Sequence, residues 1–313
     1  MESYDVAVLG AGLAGLSAAM CAARYGLKAV VIDRMGAGGQ IVTATSIENL
    51  PGLPQAVSGY ELGPQVFEQA EAAGAEFRID TIEAISTDSG EDGGMITIVC
   101  AGETIAAKAL IVALGSSPRA LGVPGEEEFA GKGVSHCASC DAPLFTGKPV
   151  VVVGGGDTAL DEALVLAERS QSVLIVTHGQ RLRAQAALIE RAKSLPNIEI
   201  RFETAVEEVA GDGGVTHVVL RDLKSGLASQ AACDGIFVCI GTTPNSELLR
   251  GIVDLDAEGR ILTDIMMRTS VPTIFAAGDI RAQSVGLLAA CAGDGATAAT
   301  AALHALAQVR QQA

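Results

Sequence analysis

The sequence predicts an α/β protein of two three-layer domains, the second inserted into the first, and two observations predict it. The first is a glycine-rich turn at residues 10–15, between an apolar strand at residues 6–9 and an Ala-rich helix. The second is the recurrence of the same strand, turn and helix from residue 150 onward. A strand that enters a helix through such a turn begins a βαβ unit. The recurrence therefore predicts two Rossmann-like domains.

The domain boundaries are predicted from the linkers and from the segments that need another part of the chain to pack against. At 313 residues the chain is long enough for two domains of ordinary size. Stretches at residues 116–124 and 241–245 contain the Pro and Gly typical of linkers. The β-rich stretch before the first linker needs a partner, and the segment after the second linker supplies one. We therefore expect a discontinuous first domain, residues 1–116 and 245–313, and an inserted second domain, residues 117–244.

The other elements are predicted from apolar runs and the residues that interrupt them. In the first domain they are a helix at 16–25, a strand at 29–32, a long loop at 36–64, a helix at 63–73, strands at 77–85, 95–100, 104–107 and 110–113, and a helix at 287–309. In the second domain they are strands at 150–153 and 173–176, a helix at 158–170, a hairpin within 199–220 and a strand at 236–240.

Charge and hydropathy narrow the class of partner. The formal net charge of −16 argues against nucleic acid and anionic membranes, since both select basic surfaces. No apolar run approaches the ~18 residues of a membrane span, and no charged leader precedes the first strand. We therefore expect a cytoplasmic protein. Five of its seven cysteines lie in apolar runs and are expected to be buried free thiols: Cys21, Cys100, Cys233, Cys239 and Cys291.

The first turn has the spacing G-x-G-x-x-G in the context that a dinucleotide site requires. Gly10, Gly12 and Gly15 let the backbone approach a pyrophosphate, and the following helix N-terminus donates N–H groups to it. Asp33 stands at the end of the next strand, where a carboxylate accepts from ribose hydroxyls. These residues predict a bound dinucleotide, against the simpler alternative of a tight turn without a ligand.

The second turn, with Gly154, Gly156 and Ala159 at the same spacing, has the same flanks but a different strand end. That end offers no acid for a ribose diol and, at His178 and Gly179, no arginine for a 2′-phosphate. The turn therefore predicts the fold and leaves its nucleotide open.

Cys137 and Cys140 are separated by two residues and followed by Asp141. The spacing suits a short-loop disulfide with a lowered thiol pKa, or half of a zinc site. A zinc site takes four ligands and the sequence has one close cysteine pair, so a redox disulfide is favoured and no metal is predicted. Asp141 is a candidate proton donor to whichever thiolate leaves.

Together these motifs resemble the low-molecular-weight thioredoxin reductase family along nearly the whole chain. Residues 38–41 and 47–52 resemble its flavin-binding loops, and residues 137–141 resemble its C-A-T-C-D centre. Residues 154–163 resemble its nicotinamide-site turn, and residues 275–279 its F-A-A-G-D segment. No single motif is specific, but the combination is.

The resemblance implies FAD on the first domain, bound by Gly10, Gly12, Leu13, Ala14, Gly15, Asp33, Arg34, Gly39, Gln40, Asn49, Ala113, Gly115, Gly278 and Asp279. It implies a second nucleotide on the inserted domain, bound by Gly154, Gly156, Asp157, Thr158 and Arg183. It further implies that Cys140 lies against the flavin ring, that Cys137 attacks the partner disulfide and that Asp141 moves protons. A homodimer, and an inserted domain that rotates between flavin reduction and thiol exchange, are implied as well.

The chain departs from the family pattern at three places. The family's H-R-R-x-x-x-R-A aligns to residues 177–184, where His and Gly replace the two arginines that hold the NADPH 2′-phosphate and Arg183 remains. The family's R-Q-A near the flavin ring aligns to Gly-Leu-Leu at residues 286–288, and its A-T-G to Ala-Leu-Gly at residues 113–115. The first departure argues against NADPH as the reductant.

We therefore expect an FAD-containing disulfide oxidoreductase that moves two electrons through the Cys137–Cys140 disulfide to a thioredoxin-like protein or a small disulfide. Its second nucleotide is NADH, NADPH or another flavin, unless an electron-transfer protein such as ferredoxin supplies the electrons. The alternative within enzymes is a dithiol oxidase, which passes electrons from a dithiol to dioxygen. The alternative outside enzymes is a redox-sensing module, against which the proton donor at Asp141 argues.

Overall fold

The computed structural model describes residues 2–44, 47–87 and 94–312 of the chain. The chain forms two compact units, one of Met1–Ser117 with Thr243–Ala313 and one of Pro118–Thr242. The boundaries expected from the sequence lie one residue and two residues away from these. At the two crossings between the units, strands β7 (Ser116–Pro118) and β16 (Thr242–Pro244) pair with each other.

In the described part of the chain, the first unit is built on a seven-stranded sheet of order β3-β2-β1-β6-β5-β4, with β17 also paired to β6. Its parallel strands β2, β1, β6 and β17 end at one edge of the sheet. Asp33 is the last residue of β2. The first turn follows β1, Ala113 follows β6 and Gly278 lies just after β17, so all of them are placed at the same edge of the sheet. The strands are β1 (Glu2–Leu9), β2 (Ala29–Asp33), β3 (Glu76–Ile79), β4 (Ile82–Thr87), β5 (Ile96–Cys100), β6 (Thr104–Val112) and β17 (Ile274–Ala276).

Helices α1 (Leu13–Arg24), α2 (Gly59–Ala72) and α6 (Leu288–Gln312) belong to this unit. Val8 of β1 packs into the core formed with α1 and α6, whereas Leu9 packs into the core on the opposite face, so the unit has the predicted three layers. The contact between α1 and α6 is close: a Cβ on Gly295 would lie 2.1 Å from the carbonyl oxygen of Ala14. The Ala-rich composition of both helices is what allows this approach.

The start of α2 corrects the predicted helix at 63–73. The helix begins at Gly59 because Ser58 caps it: the Ser58 Oγ accepts from the backbone N of Glu61 at 3.3 Å, and the Glu61 side chain returns to the Ser58 backbone. Pro64 lies inside the helix rather than near its start.

The second unit is built on a parallel sheet, which in the described residues has the order β11-β10-β9-β15-β8. A separate antiparallel sheet has the order β12-β13-β14. The strands are β8 (Val134–Ser135), β9 (Pro149–Val153), β10 (Ser172–Val176), β11 (Ile198–Arg201), β12 (Thr204–Gly211), β13 (Val215–Asp222), β14 (Ala228–Ala232) and β15 (Gly235–Val238). The helices are α3 (Ala138–Asp141), α4 (Asp157–Ala167) and α5 (Ala186–Ser194).

One element of this unit was predicted wrongly and another was not predicted. The predicted hairpin within 199–220 is restricted to β12 and β13, because β11 pairs in parallel with β10 instead. Helix α5 was not predicted. Ala192 is buried, and Leu188 and Ile189 pack against the core of the unit, so the helix has an apolar face of only these three residues, which was missed.

The described helices include none that combines the length and the apolar composition of a membrane span. The five cysteines outside the close pair are free thiols. Cys100 and Cys233 are buried as expected, whereas Cys21, Cys239 and Cys291 are only half-buried, so the expectation was wrong for these three. Burial still raises the pKa of both Cys239 and Cys291 to about 12.

Candidate redox centre and nucleotide sites

Cys137 and Cys140 form a disulfide at the start of the short helix α3, with their Cα atoms 5.4 Å apart. Cys137 is the N-cap of this helix, and its Sγ accepts from the backbone N of Cys140 at 3.2 Å. A thiolate at Cys137 could accept the same hydrogen bond after reduction. Cys140 is exposed and Cys137 is half-buried, so the disulfide is accessible to a reaction partner.

Asp141 is the last residue of α3 and is half-buried. Its backbone N donates to the carbonyl oxygen of Cys137 at 3.1 Å, which fixes it next to the disulfide. Its carboxylate makes no hydrogen bond to the residues that the structure describes. The carboxylate is therefore available to exchange a proton with a sulfur.

Glu162 is a functional candidate that the motifs did not single out. It lies on α4, and its carboxylate accepts a hydrogen bond from the backbone N of Ala138 in α3. Burial raises the pKa of Glu162 to about 7; the bond from Ala138 opposes this rise, and the charges of Asp161 and Asp141 add to it. The sequence did contain a sign of this role: Glu162 is an acidic residue in the first two turns of α4, whose buried face is otherwise apolar.

In the first unit the structure brings several predicted flavin residues together at the first turn. A Cβ on Gly10, whose φ is +100°, would lie 2.4 Å from the carbonyl oxygen of Ala113. A Cβ on Gly39 would lie 3.0 Å from the Cα of Gly12. The residues that meet here come from four segments of the sequence: Gly10, Gly12 and Ala14, then Gly39, Ala113 and Gly278.

The first turn fits the pyrophosphate of a dinucleotide. A Cβ built on Gly12 meets no atom within 4 Å, so the space in front of the turn is open. Helix α1 has no side-chain cap at Gly12, which leaves the N–H groups of Leu13 and Ala14 without a capping partner. Free N–H groups at the N-terminus of a long helix are donors to phosphate oxygens.

Asp33 also stabilises the first turn by hydrogen bonds, in addition to its predicted contact with a ribose. Its Oδ2 accepts from the backbone N of Ala11 at 2.9 Å, and its Oδ1 accepts from Met35 and Gly36 at 2.8 and 3.0 Å. A carboxylate oxygen accepts two hydrogen bonds, so one acceptor position on Oδ2 remains for a ribose hydroxyl.

The remaining predicted flavin residues lie in short 3-10 helices and loops of the same unit. Gln40 donates to the carbonyl oxygen of Ser116, next to Gly115, and Asp279 accepts from the Ser284 hydroxyl at 2.9 Å. Arg34 and Asn49 are exposed.

Asp294 on α6 is a buried acid that the sequence did not point to. It accepts from the backbone N of Gly278 at 3.1 Å and from two nitrogens of Arg281 at 2.5 and 2.9 Å. These contacts to residues on either side of Asp279 hold this segment in place.

The second turn is also open, because a Cβ on Gly156 meets no atom within 4 Å and α4 has no side-chain cap there. Asp157 is already engaged: its two oxygens accept from the backbone and side-chain nitrogens of Gln185 at 2.7 and 2.8 Å. The backbone of Arg183 donates to Gly155 at 2.7 Å, and the residue is exposed, as is Thr158.

An acid from the turn between β11 and β12 lies at the end of β10. His178 and Gly179 are exposed, and the backbone N of Glu203 donates to the carbonyl oxygen of Gly179 at 3.1 Å. Glu203 has a φ of +49°, and its carboxylate accepts from Gln180 at 2.9 Å and pairs with Lys224 at 2.5 Å. The sequence showed no acid at this strand end, because Glu203 reaches it through the pairing of β10 with β11.

Comparison with known proteins identifies the family. The model of the pyridine nucleotide-disulphide oxidoreductases matches residues 4–303. Curated relatives include the thioredoxin reductase of Treponema pallidum, 42% identical with 96% of each chain covered, and that of Peptoclostridium acidaminophilum, 41% identical with 95% of each covered. The chain belongs to the thioredoxin reductase family.

Solved thioredoxin reductases agree with this family assignment. That of Lactococcus lactis matches with a TM-score of 0.94 at 36% identity, over 97% of this chain and 99% of that one. That of T. acidophilum matches with a TM-score of 0.92 at 34% identity, over the same shares. The predicted fold of two Rossmann-like domains is thereby confirmed.

Membership of the thioredoxin reductase family makes this chain an enzyme, an FAD-dependent disulfide oxidoreductase, as predicted. The open first turn and its free N–H groups fit the cofactor that the family uses. The relatives favour the reductase over the dithiol oxidase, the ferredoxin- or flavin-linked reductase and the redox sensor.

Proposed function

We propose that this chain passes two electrons through the Cys137–Cys140 disulfide to the disulfide of a thioredoxin. The observation that carries the proposal is the accessible disulfide at the start of α3, followed directly by Asp141. Relatives at about 40% identity over almost the whole chain are named thioredoxin reductases. We assign Cys137 to attack on the partner disulfide, Cys140 to exchange with the flavin, and Asp141 to proton transfer.

Bound FAD supplies the two electrons, and the sulfur chemistry belongs to the chain. The Cys137 thiolate attacks one sulfur of the partner disulfide, and the other partner sulfur leaves as a thiolate. Cys140 then attacks Cys137, which re-forms the Cys137–Cys140 disulfide and releases the partner as a dithiol. Asp141 provides a proton to the leaving sulfur, since a poor leaving group is stabilised when it is protonated.

We propose that the first unit would hold FAD at the first turn, with Asp33 on the ribose and Asp279 as a further contact to the cofactor. The convergence of Gly12, Gly39 and Gly278 at one edge of the sheet supports this assignment. The second unit would hold the donor nucleotide at its own turn, where Gly156 leaves open space.

An experiment that needs no natural donor tests this function. The purified protein is reduced anaerobically with stoichiometric dithionite and mixed with oxidised thioredoxin, whose new thiols are counted by alkylation and mass spectrometry. We expect a yellow protein that reduces thioredoxin in equimolar amount. A colourless protein that takes up no FAD would contradict the cofactor, and reduction of a small disulfide without reduction of thioredoxin would contradict the partner.

Asp141→Asn should lower turnover by ~10²–10⁴-fold, because a positioned general acid contributes that much to rate. The FAD content should not change, since Asp141 lies in the second unit. The matched control is Asp212→Asn, which removes an exposed carboxylate from the same unit. If Asp141→Asn kept the wild-type rate across the pH range, Asp141 would have a purely structural role in α3.

We propose that NADPH is a weak donor. The exposed His178 and the absent side chain of Gly179 supply no guanidinium to a 2′-phosphate, and the Glu203 carboxylate at the same strand end is already paired with Lys224. Arg181 and Lys193 line a cavity of about 190 Å³ with Gln180 and Phe202.

We propose further that the protein acts as a homodimer in the cytoplasm. The family resemblance supports the dimer. The five free thiols support a reducing compartment, since thiols persist where disulfides are reduced.

A further inference from the structure

The contact between Glu162 and the redox helix has no role in the electron path described above. The carboxylate accepts the N–H of Ala138, the first residue of α3 and the one directly after Cys137. Ala138 is fully buried, and an N–H group in the first turn of a helix has no helical partner. The Glu162 carboxylate therefore satisfies a buried donor and ties α4 to the backbone beside the attacking cysteine.

The surroundings of Glu162 are acidic. Asp161 on the same helix and Asp141 on α3 raise its pKa, and its own charge raises the pKa of Cys239, which follows β15. Helix α5, which packs on α4, carries charged residues that are all exposed: Glu190, Arg191 and Lys193. With burial as the largest cause, the pKa of Glu162 is about 7. This carboxyl therefore exchanges a proton near neutral pH, where an ordinary glutamate is ionised.

We propose that Glu162 is a positioning residue of the redox centre, which holds the Ala138 N–H and takes up a proton when the Cys137–Cys140 disulfide is reduced. The proposal rests on the redox role proposed above for this disulfide. A second carboxyl, besides Asp141, then gains or loses a proton when the two sulfurs are reduced or oxidised.

Reduction of the Cys137–Cys140 disulfide takes up two electrons and two protons. Two electrons, which FAD would supply when bound, break the S–S bond between Cys137 and Cys140. One sulfur takes a proton and becomes a thiol, and the other stays a thiolate. The new negative charge makes ionisation of the nearby carboxylate less favourable, so a second proton from solvent binds to Glu162. When a partner disulfide reoxidises the pair, the thiolate charge disappears and Glu162 releases this proton.

The coupling has a sign that can be measured. A thiolate and a carboxylate close together each raise the pKa of the other. Well below pH 7 Glu162 is protonated in both oxidation states, so its charge has no effect on the reduction equilibrium. Well above pH 7 it is ionised in both, and its charge disfavours the thiolate form. Removing the charge should therefore favour reduction at high pH and leave the equilibrium unchanged at low pH.

Glu162→Gln removes the charge and keeps an oxygen that can accept from Ala138. The reduction equilibrium of the Cys137–Cys140 pair is measured in the FAD-loaded enzyme against anaerobic dithiothreitol buffers from pH 6 to 8.5, with alkylated peptides quantified by mass spectrometry. We expect wild type and variant to coincide at pH 6. At pH 8.5 the variant should be reduced about tenfold more readily, or about 30 mV less negative in midpoint potential.

The matched control is Glu168→Gln, which removes an exposed carboxylate at the end of the same helix. It should follow the wild type at every pH. If Glu162→Gln does not fold, the wild type alone still tests the idea, because its midpoint should fall more steeply between about pH 7 and 8 than on either side.

Curves for Glu162→Gln and wild type that superimpose from pH 6 to 8.5, or a wild-type midpoint with no steeper region, would overturn the proposal. Failure of the proposed function is a different result. In that case the alkylated peptides would show no pair of thiols appearing at Cys137 and Cys140 on reduction.

Discussion

Replacing Cys137 with serine is expected to abolish thioredoxin reduction and to leave Cys140 as a thiolate that interacts with oxidised flavin. Loss of the attacking sulfur should lower turnover on the order of 10⁴-fold or more, since no other group can form the mixed disulfide. The remaining thiolate should produce a long-wavelength charge-transfer band in the absorption spectrum. Both readouts are taken on the FAD-loaded protein, with FAD content as the control for folding.

The reciprocal variant tests the unequal roles of the two cysteines. Cys140→Ser should also lose turnover but show no such band, because its free sulfur is the one assigned to the partner disulfide. The half-buried Cys137 should then form a stable mixed disulfide with thioredoxin that the wild type resolves. Identical spectra for the two variants, or zinc bound to the purified protein, would show that the roles are assigned wrongly.

NADPH should reduce the flavin poorly. In the family, two arginines meet the 2′-phosphate, and each such charge-assisted contact contributes about 1.5–3 kcal/mol. Without both, NADPH should bind roughly 10²–10⁴-fold more weakly. The check is anaerobic stopped-flow bleaching of the flavin with NADPH and NADH in parallel. Rapid bleaching by micromolar NADPH would contradict the prediction and would assign the phosphate to Arg181 or Arg183.

Gly179→Arg is the matched variant, which is expected to strengthen NADPH binding. The φ of Gly179 is not in the left-handed region, and a Cβ there would lie 3.2 Å from the carbonyl oxygen of Arg181, so a side chain needs only a small adjustment. We expect NADPH binding to strengthen by roughly 10- to 100-fold and NADH binding to change little, because NADH has no 2′-phosphate. The gain should shrink at high salt, as expected for an exposed charge pair.

The elements that the sequence predicted correctly are those that local chemistry determines. The two turns need glycine because the backbone is left-handed at Gly10 and Gly154, and each turn joins a buried strand to a helix. The disulfide between Cys137 and Cys140 follows from a spacing that brings two sulfurs together within one helical turn. Such features involve residues within a few positions of one another, so a single sequence is enough to recognise them.

The start of α2 and helix α5 show where local patterns are insufficient. Ser58 and Glu61 form a capping box that the nearby Pro64 obscured, and the apolar face of α5 consists of only Leu188, Ile189 and Ala192. Both helices bury apolar residues against their own unit, Leu62 and Ala70 in α2 and Ala192 in α5, and such packing supplies most of the stability of a helix.

Three acids acquire their roles through tertiary structure alone. Glu162 meets Ala138 because α4 packs on α3, Glu203 reaches Gly179 because β11 pairs with β10, and Asp294 holds Gly278 because α6 packs beside the last strand. In each case the partners lie 16 to 24 residues apart in the chain. Hydrophobic periodicity and motif spacing report on neighbours along the chain. The field around a carboxyl group, and hence its pKa, depends instead on which distant segments the sheet order and helix packing bring against it.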